Sequence, residues 1–146
     1  MPDLGIDWNE VWYNLWHLGV AYIFALPVGL DREASSRSAG LRTFPLVAIA
    51  ACGYTLVGFS VLSSTGAEAR VLQGIITGIG FIGGGAILKS SGTVTGTATA
   101  ASIWTTGLIG IAVATDRFEI ALLLSLMTFI TLRVGRKIKD NLPDSD

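Results

Sequence analysis

Residues 120–132 read IALLLSLMTFITL. A helix built from this stretch is apolar on every side, and the stretch lacks the alternation of a half-wet strand, so it suits a helix surrounded by lipid and by other helices. About twenty helical residues match the roughly 30 Å hydrocarbon layer of a bilayer, which makes the number of such stretches the deciding quantity. The chain has five, over residues 11–30, 44–62, 71–88, 97–114 and 118–134. Lipid offers no partner for a backbone N–H or C=O, so only helices or closed barrels can span it, and barrel alternation is absent. The expected fold is all-α, a polytopic transmembrane bundle of about five spans. These spans fill most of one membrane domain over residues 1–146, and no separate soluble C-terminal domain is expected.

Composition agrees with that solvent. Of 146 residues, 51% are hydrophobic and only 14% charged, against about 25% charged in soluble domains. The net charge of −1 says little, because orientation follows the placement of Lys and Arg near span ends. Arg32, Arg37 and Arg42 follow the first span, Lys89 follows the third, and Arg133, Arg136, Lys137 and Lys139 follow the fifth. Arg70 and Arg117 fall on the other side, where the N-terminal segment carries Asp3, Asp7 and Glu10. The expectation is an outside N-terminus and a cytoplasmic C-terminus, the split an odd number of spans requires. The first span is read as a retained helix and not a signal peptide, since its flank is acidic and no small-residue cleavage site follows it.

Trp8, Trp12 and Trp16 recur every four residues, which forms a helical stripe suited to the lipid–water interface. His17 lies beside them and is the one histidine of the chain, too few for a metal site of its own. Pro27 removes a helical donor and is expected to kink the first span. Cys52, the single cysteine, reads as a small buried hydrophobe.

The third span carries Gly74, Gly78, Gly80, Gly83, Gly84 and Gly85. The 74/78 and 80/84 pairs have the GxxxG spacing that lets another backbone approach closely, so helix packing is the first reading. The second is that residues 83–85 interrupt the helix and expose backbone to an ion or substrate. Directly afterwards come the hydroxyls of Thr93, Thr95, Thr97, Thr99, Thr105 and Thr106. Thr95 or Thr97 can cap the fourth helix, and the others either bond across helices or line a polar cavity with Trp104 as one wall. Asp31, Arg32, Glu33 and Arg42 flank the mouth at the end of the first span. Asp31 and Glu33 are the candidate Mg²⁺ carboxylates, since that ion keeps its waters and needs only one or two. The neighbouring arginines favour instead an ion-paired cluster that sets structure.

At these positions the chain resembles the MgtC/SapB family of bacterial membrane proteins. AGLRT at 39–43 is similar to the family's loop motif, GIGFIGGGAI at 78–87 to its glycine helix, and TAASIW at 99–104 to the start of its next span. The resemblance covers residues from about 15 to 135. Asp31 stands where the family more often has glutamate, and TGTATAA replaces the commoner GLTTAA run. The resemblance implies a multi-pass protein of the bacterial cytoplasmic (inner) membrane in magnesium homeostasis, sensing, binding or regulating other membrane proteins. The alternative is a subunit of a Mg²⁺ transporter or channel. It also directs attention to Asp31, Glu33, Arg42, Thr43, Thr97, Thr99 and Trp104 as ligand or ion-binding candidates. The expected partners are the lipid bilayer, a second copy in a homo-oligomer, and a membrane-protein partner. No resident cofactor is expected, with Mg²⁺ possible only as a ligand. An enzyme would need a nucleophile with a base, or carboxylates paired within the spans, and the chain presents neither arrangement. Nucleic acid is not an expected partner, because the basic residues follow membrane topology.

Overall fold

A computed structural model describes residues 5–35, 39–90 and 93–141. Arg37 and Asp3, both counted in the charge bias, lie outside the described residues. Five helices follow one another: α1 (Trp8–Ser35), α2 (Thr43–Val61), α3 (Thr65–Gly85), α4 (Thr97–Ala114) and α5 (Phe118–Asn141). A small antiparallel hairpin, β1 (Leu88–Ser90) and β2 (Thr93–Thr95), is inserted between α3 and α4. The chain is an all-α polytopic bundle with this one β addition. By length and composition α1, α2, α4 and α5 are able to cross a membrane.

The spans of α2 and α4 lie where the hydropathy put them. The others differ for physical reasons. α1 and α5 run past the hydrocarbon into charged sequence, so Asp31, Arg32 and Glu33 form the last turns of α1 and not a loop. Arg136, Lys137 and Lys139 likewise extend α5. α3 begins six residues before the expected Val71, where Ser64 takes the N-cap position and its hydroxyl accepts from Ala67 N–H at 3.3 Å. Gly83, Gly84 and Gly85 do not interrupt α3; they are its final turn. The start of α4 is also differently made. Neither Thr95 nor Thr97 caps it: Gly96 does, at φ +85°, where a Cβ would overlap Ala86 O and lie 3.0 Å from its carbonyl carbon. Pro27 lies inside an α1 that continues to Ser35.

α4 is the axis of the packing. Eleven of its 18 residues are buried, and it meets all four other helices. The closest approach is to α2, where a Cβ on Gly110 would overlap Ala48 O and come within 3.0 Å of Ala51 Cβ and Cys52 N. Gly107 admits Ile79 of α3 in the same way, and a Cβ on Gly83 of α3 would lie 3.1 Å from Ala100 O. Two clusters fill the interior, one around Ala25, Cys52 and Ile109, the other around Val28, Phe44 and Ile103.

Two long-range polar contacts define the ends of the bundle. His17 near the start of α1 meets Asp116 just before α5, and Asp31 near the end of α1 meets Arg136 near the end of α5. α1 and α5 are therefore parallel. With four short connections between them, the chain reverses at each, and α3 traverses the bundle like its neighbours although its glycines and its polar first turns dilute its hydropathy. Its 21 residues make about 30 Å of helix, but it is not among the four helices both long and apolar enough to cross a membrane.

Candidate functional site

The polar groups gather at the end where α1 and α5 finish. Asp31 has a fully enclosed side chain. One carboxylate oxygen accepts from Arg32 at 3.1 Å. The other accepts from Arg136 and lies 3.3 Å from Arg133 Nε. Three guanidinium groups thus surround one buried carboxylate, which leaves this cluster with a surplus of two positive charges. The helix pitch makes the arrangement possible, because Arg133 and Arg136 are three residues apart on α5 and share the face that leans on α1. Arg133 also lies over the Phe129 ring, 5.1 Å from its centroid.

Glu33 serves a separate purpose. Its carboxylate accepts from Leu41 N–H at 2.9 Å, across the connection to α2. Gly40 is pressed so closely against it that a Cβ would overlap the Glu33 carboxylate and lie 2.9 Å from Glu33 Cα. Thr43 and Phe44 donate their amides to Gly40 O at 2.9 and 3.2 Å, and Gly29 of α1 lies beside Leu41 and Phe44. The AGLRT stretch is thereby a clasp joining α1 to α2, in which Thr43 is half-buried and Arg42 is exposed.

These positions do not fit a Mg²⁺ site. Asp31 is saturated by cations and Glu33 is turned to a backbone amide, so the two carboxylates do not converge on one point. Among the described residues no three His, Cys, Asp or Glu side chains group as metal ligands. The hydroxyl-rich stretch shows a similar economy. Ser102, Thr105 and Thr106 donate to Ala98 O, Ala101 O and Ser102 O at 2.6, 2.9 and 2.8 Å, each within its own helix. Thr99 is buried and Thr97 exposed. Trp104 faces outward, beside a small apolar hollow of about 80 Å³ formed with Ile76, Ile79, Leu108 and Ile111. Among the described residues Thr97 and Trp104 are exposed and Thr99 is buried, so the three do not share one environment.

α3 has only Ile79 and Gly83 buried. Among the described residues, a Cβ added at Gly74, Gly78, Gly80, Gly84 or Gly85 would meet no packed neighbour within 4 Å. Gly74 and Gly78 line an apolar groove of about 550 Å³ between α2 and α3, with Tyr54 and Phe81 at its edges. Among the helical glycines, the tight intrachain contacts are at Gly58, Gly83, Gly107 and Gly110, two of which lie on α4.

A second polar cluster, which sequence reasoning missed, ties the opposite end. His17 is buried; its two ring nitrogens face Tyr13 O at 2.8 Å and the Asp116 carboxylate at 2.9 Å. Tyr13 OH donates to the same carboxylate at 3.3 Å. Asp116 adopts φ +57° in the turn between α4 and α5, a conformation that Asp tolerates better than most residues. The one signal in the sequence was a lone acid in a tight connection between spans. Trp8, Trp12 and Trp16 remain exposed on their stripe, as an interfacial anchor requires.

The MgtC family model matches residues 18–141. Among curated proteins, the chain is 38% identical over 126 residues to slr0014 of Synechocystis sp., covering 86% of this chain and 52% of that protein. It is 34% identical over 146 residues to SrpB of Synechococcus elongatus, covering 91% and 79%. Over 118 residues it is 33% identical to the Escherichia coli K12 protein named "Putative magnesium transporter YhiD", covering 76% and 55%. The chain thus spans about half the length of the first and third of these relatives. No solved structure matches it.

Proposed function

The chain belongs to the MgtC family, and we propose that it serves magnesium homeostasis at the bacterial cytoplasmic membrane by sensing, binding or regulating other membrane proteins. In this reading the N-terminus is outside and the end bearing Asp31 and Arg136 is cytoplasmic. Magnesium enters from the name of the Escherichia coli relative and from the family resemblance. The regulatory mode rests on one contrast. Most of the polar groups that could serve an ion are committed to the protein itself, Asp31 to arginines, Glu33 to a backbone amide, and Ser102, Thr105 and Thr106 to their own helix. The glycine face of α3 is uncommitted.

An ion path needs polar ligands able to replace hydration water, whereas a helix partner needs a backbone reachable without side-chain bulk. The second requirement is the one this molecule meets. We assign Gly74, Gly78, Gly80, Gly84 and Gly85 to contact with a partner helix or with a second copy in a homo-oligomer. The chain acts by association and not by turnover chemistry.

The test has two arms. Purified protein in liposomes is expected to give no saturable Mg²⁺ flux. A strain lacking the gene is expected to recover growth in magnesium-poor medium with the wild-type chain, but not with Gly74→Leu/Gly78→Leu at equal membrane abundance. Saturable Mg²⁺ flux through the protein alone would overturn the regulatory reading in favour of a transporter or channel subunit. Full rescue by the double variant would remove the glycine face from the mechanism.

A further inference from the structure

On α5, Arg133, Arg136, Lys137 and Asp140 fall at intervals of three, one and three residues, along one face of the last two turns. With Val134 and Asn141 they line an open cleft of about 510 Å³. The charge of this region is unbalanced. Among the described residues Asp31 and Asp140 are the carboxylates at the cluster or its cleft, against Arg32, Arg133, Arg136 and Lys137. Arg136 keeps one half of its guanidinium on Asp31, while its Nε is buried and has no hydrogen-bond partner among the described residues. Arg133 and Lys137 are exposed. An arginine fixed by a buried acid is pre-organised, because its position does not have to be found when a ligand arrives.

The neighbouring surface identifies the kind of anion. Met127, Ile130, Val134 and Ile138 form a second stripe on α5, all at least half exposed, and Val134 is shared with the cleft. The basic face therefore runs alongside an outward apolar stripe. A free anion uses only the first of these surfaces; an amphiphile uses both. From this juxtaposition we propose that the end of α5 holds an anionic phospholipid, its phosphate between Arg133 and Lys137 beside Arg136, and its acyl chain along Ile130 and Val134. Arginine supplies the paired N–H geometry that phosphate oxygens accept, and lysine adds a flexible charge. The lipid would sit against the helix pair that Asp31 joins, in the leaflet on that side of the bundle.

The experiment uses the full chain in a neutral maltoside detergent and follows its thermal unfolding midpoint. It compares phosphatidylglycerol, phosphatidylcholine with the same acyl chains, and inorganic phosphate. The expected result is a saturable rise with phosphatidylglycerol and none with the other two. Arg133→Gln/Lys137→Gln retains Arg32 and Arg136 on Asp31, so its unliganded midpoint should stay near that of the wild type while its apparent affinity falls about thirtyfold, two cationic contacts being lost. If the double variant fails to fold, Lys137→Gln alone, which touches no part of the Asp31 cluster, should weaken binding about fivefold. Equal shifts with the two lipids, or unchanged affinity in the variants, would overturn the proposal. An equal saturable shift with inorganic phosphate would overturn the lipid as occupant and leave a free-phosphate site.

Discussion

Replacing Asp31 by asparagine tests how the polar end of the bundle is held. The side chain is fully enclosed and faces Arg32 at 3.1 Å, Arg133 at 3.3 Å and Arg136. Removing one partner from a buried ion pair typically costs about 3–5 kcal/mol, since the other charge stays desolvated and unmatched. Two features lower that figure here: the Arg133 side chain is 65% exposed and that of Arg136 34% exposed, so water screens both. Arg32, at 8% exposure, is not screened. The amide also keeps one acceptor. A loss of about 3 kcal/mol follows, almost all from Arg32, whereas Arg133→Gln should cost under about 1 kcal/mol because its contact is largely exposed. Reversible unfolding of the purified protein in mixed micelles, with denaturing detergent as the variable, reads both. If Asp31 were instead a carboxylate kept for Mg²⁺, millimolar Mg²⁺ would stabilise the wild type and not the variant. That outcome, or a variant as stable as the wild type, would refute the ion-pair account.

The same assay separates the two sets of glycines. Gly110→Ala places a methyl against the Ala48 backbone carbonyl and should destabilise by about 1–3 kcal/mol, while Gly78→Ala, with open space around it, should be neutral or gain up to about 1 kcal/mol of helix propensity. Equal effects at both positions would contradict the packing described. His17→Ala removes a buried ring bonded to Tyr13 O and Asp116 and should lower stability by about 2 kcal/mol; hydrogen exchange should rise at the turn before α5, and no change there would show that the contact does not tie the helices. Gly96→Ala combines a left-handed backbone with overlap on Ala86 O, so a loss of about 1–2 kcal/mol is expected, together with faster exchange across the hairpin; a neutral outcome would mean that the entry to α4 is not constrained as described.

The spans of α2 and α4 were legible because each is an apolar run that ends where its helix ends. The limits of α1 and α5 were not, since hydropathy reports the hydrocarbon and not the hydrogen-bond ladder: Asp31 and Arg32 read as loop residues yet continue α1 because their charges meet each other and Arg136. The pairing itself spans 105 positions and that of His17 with Asp116 spans 99, distances over which one sequence carries no register. The ion-paired reading of the cluster was available from the arginines beside Asp31. The hairpin was missed because strands of three residues leave no periodicity to detect. Glycine spacing was legible as a capacity for close approach. Which glycines use it inside the chain depends on how α4 is turned, and that is fixed by the whole bundle.

The same geometry bears on where a partner would attach. α1 and α5 are joined by ionic contacts at one end, by His17 and Asp116 at the other, and between them by Ser125 Oγ donating to Phe24 O at 2.6 Å. Among the described residues α3 has no such link. It is held to α2 and α4 by apolar fits, Val71 against Gly58, Ile79 against Gly107 and Gly83 against Ala100. In a bilayer the hydrophobic effect does not press helices together, so fits of this kind and the small residues that permit them carry the association. A second helix laid along Gly74 and Gly78 would add contacts of the same kind without breaking a hydrogen bond or separating an ion pair. On α1 or α5 a partner able to shift a helix would have to work against ionic and hydrogen-bonded ties. α3 is therefore where binding can change the arrangement at least cost, which is why the proposed association is assigned to its glycine face.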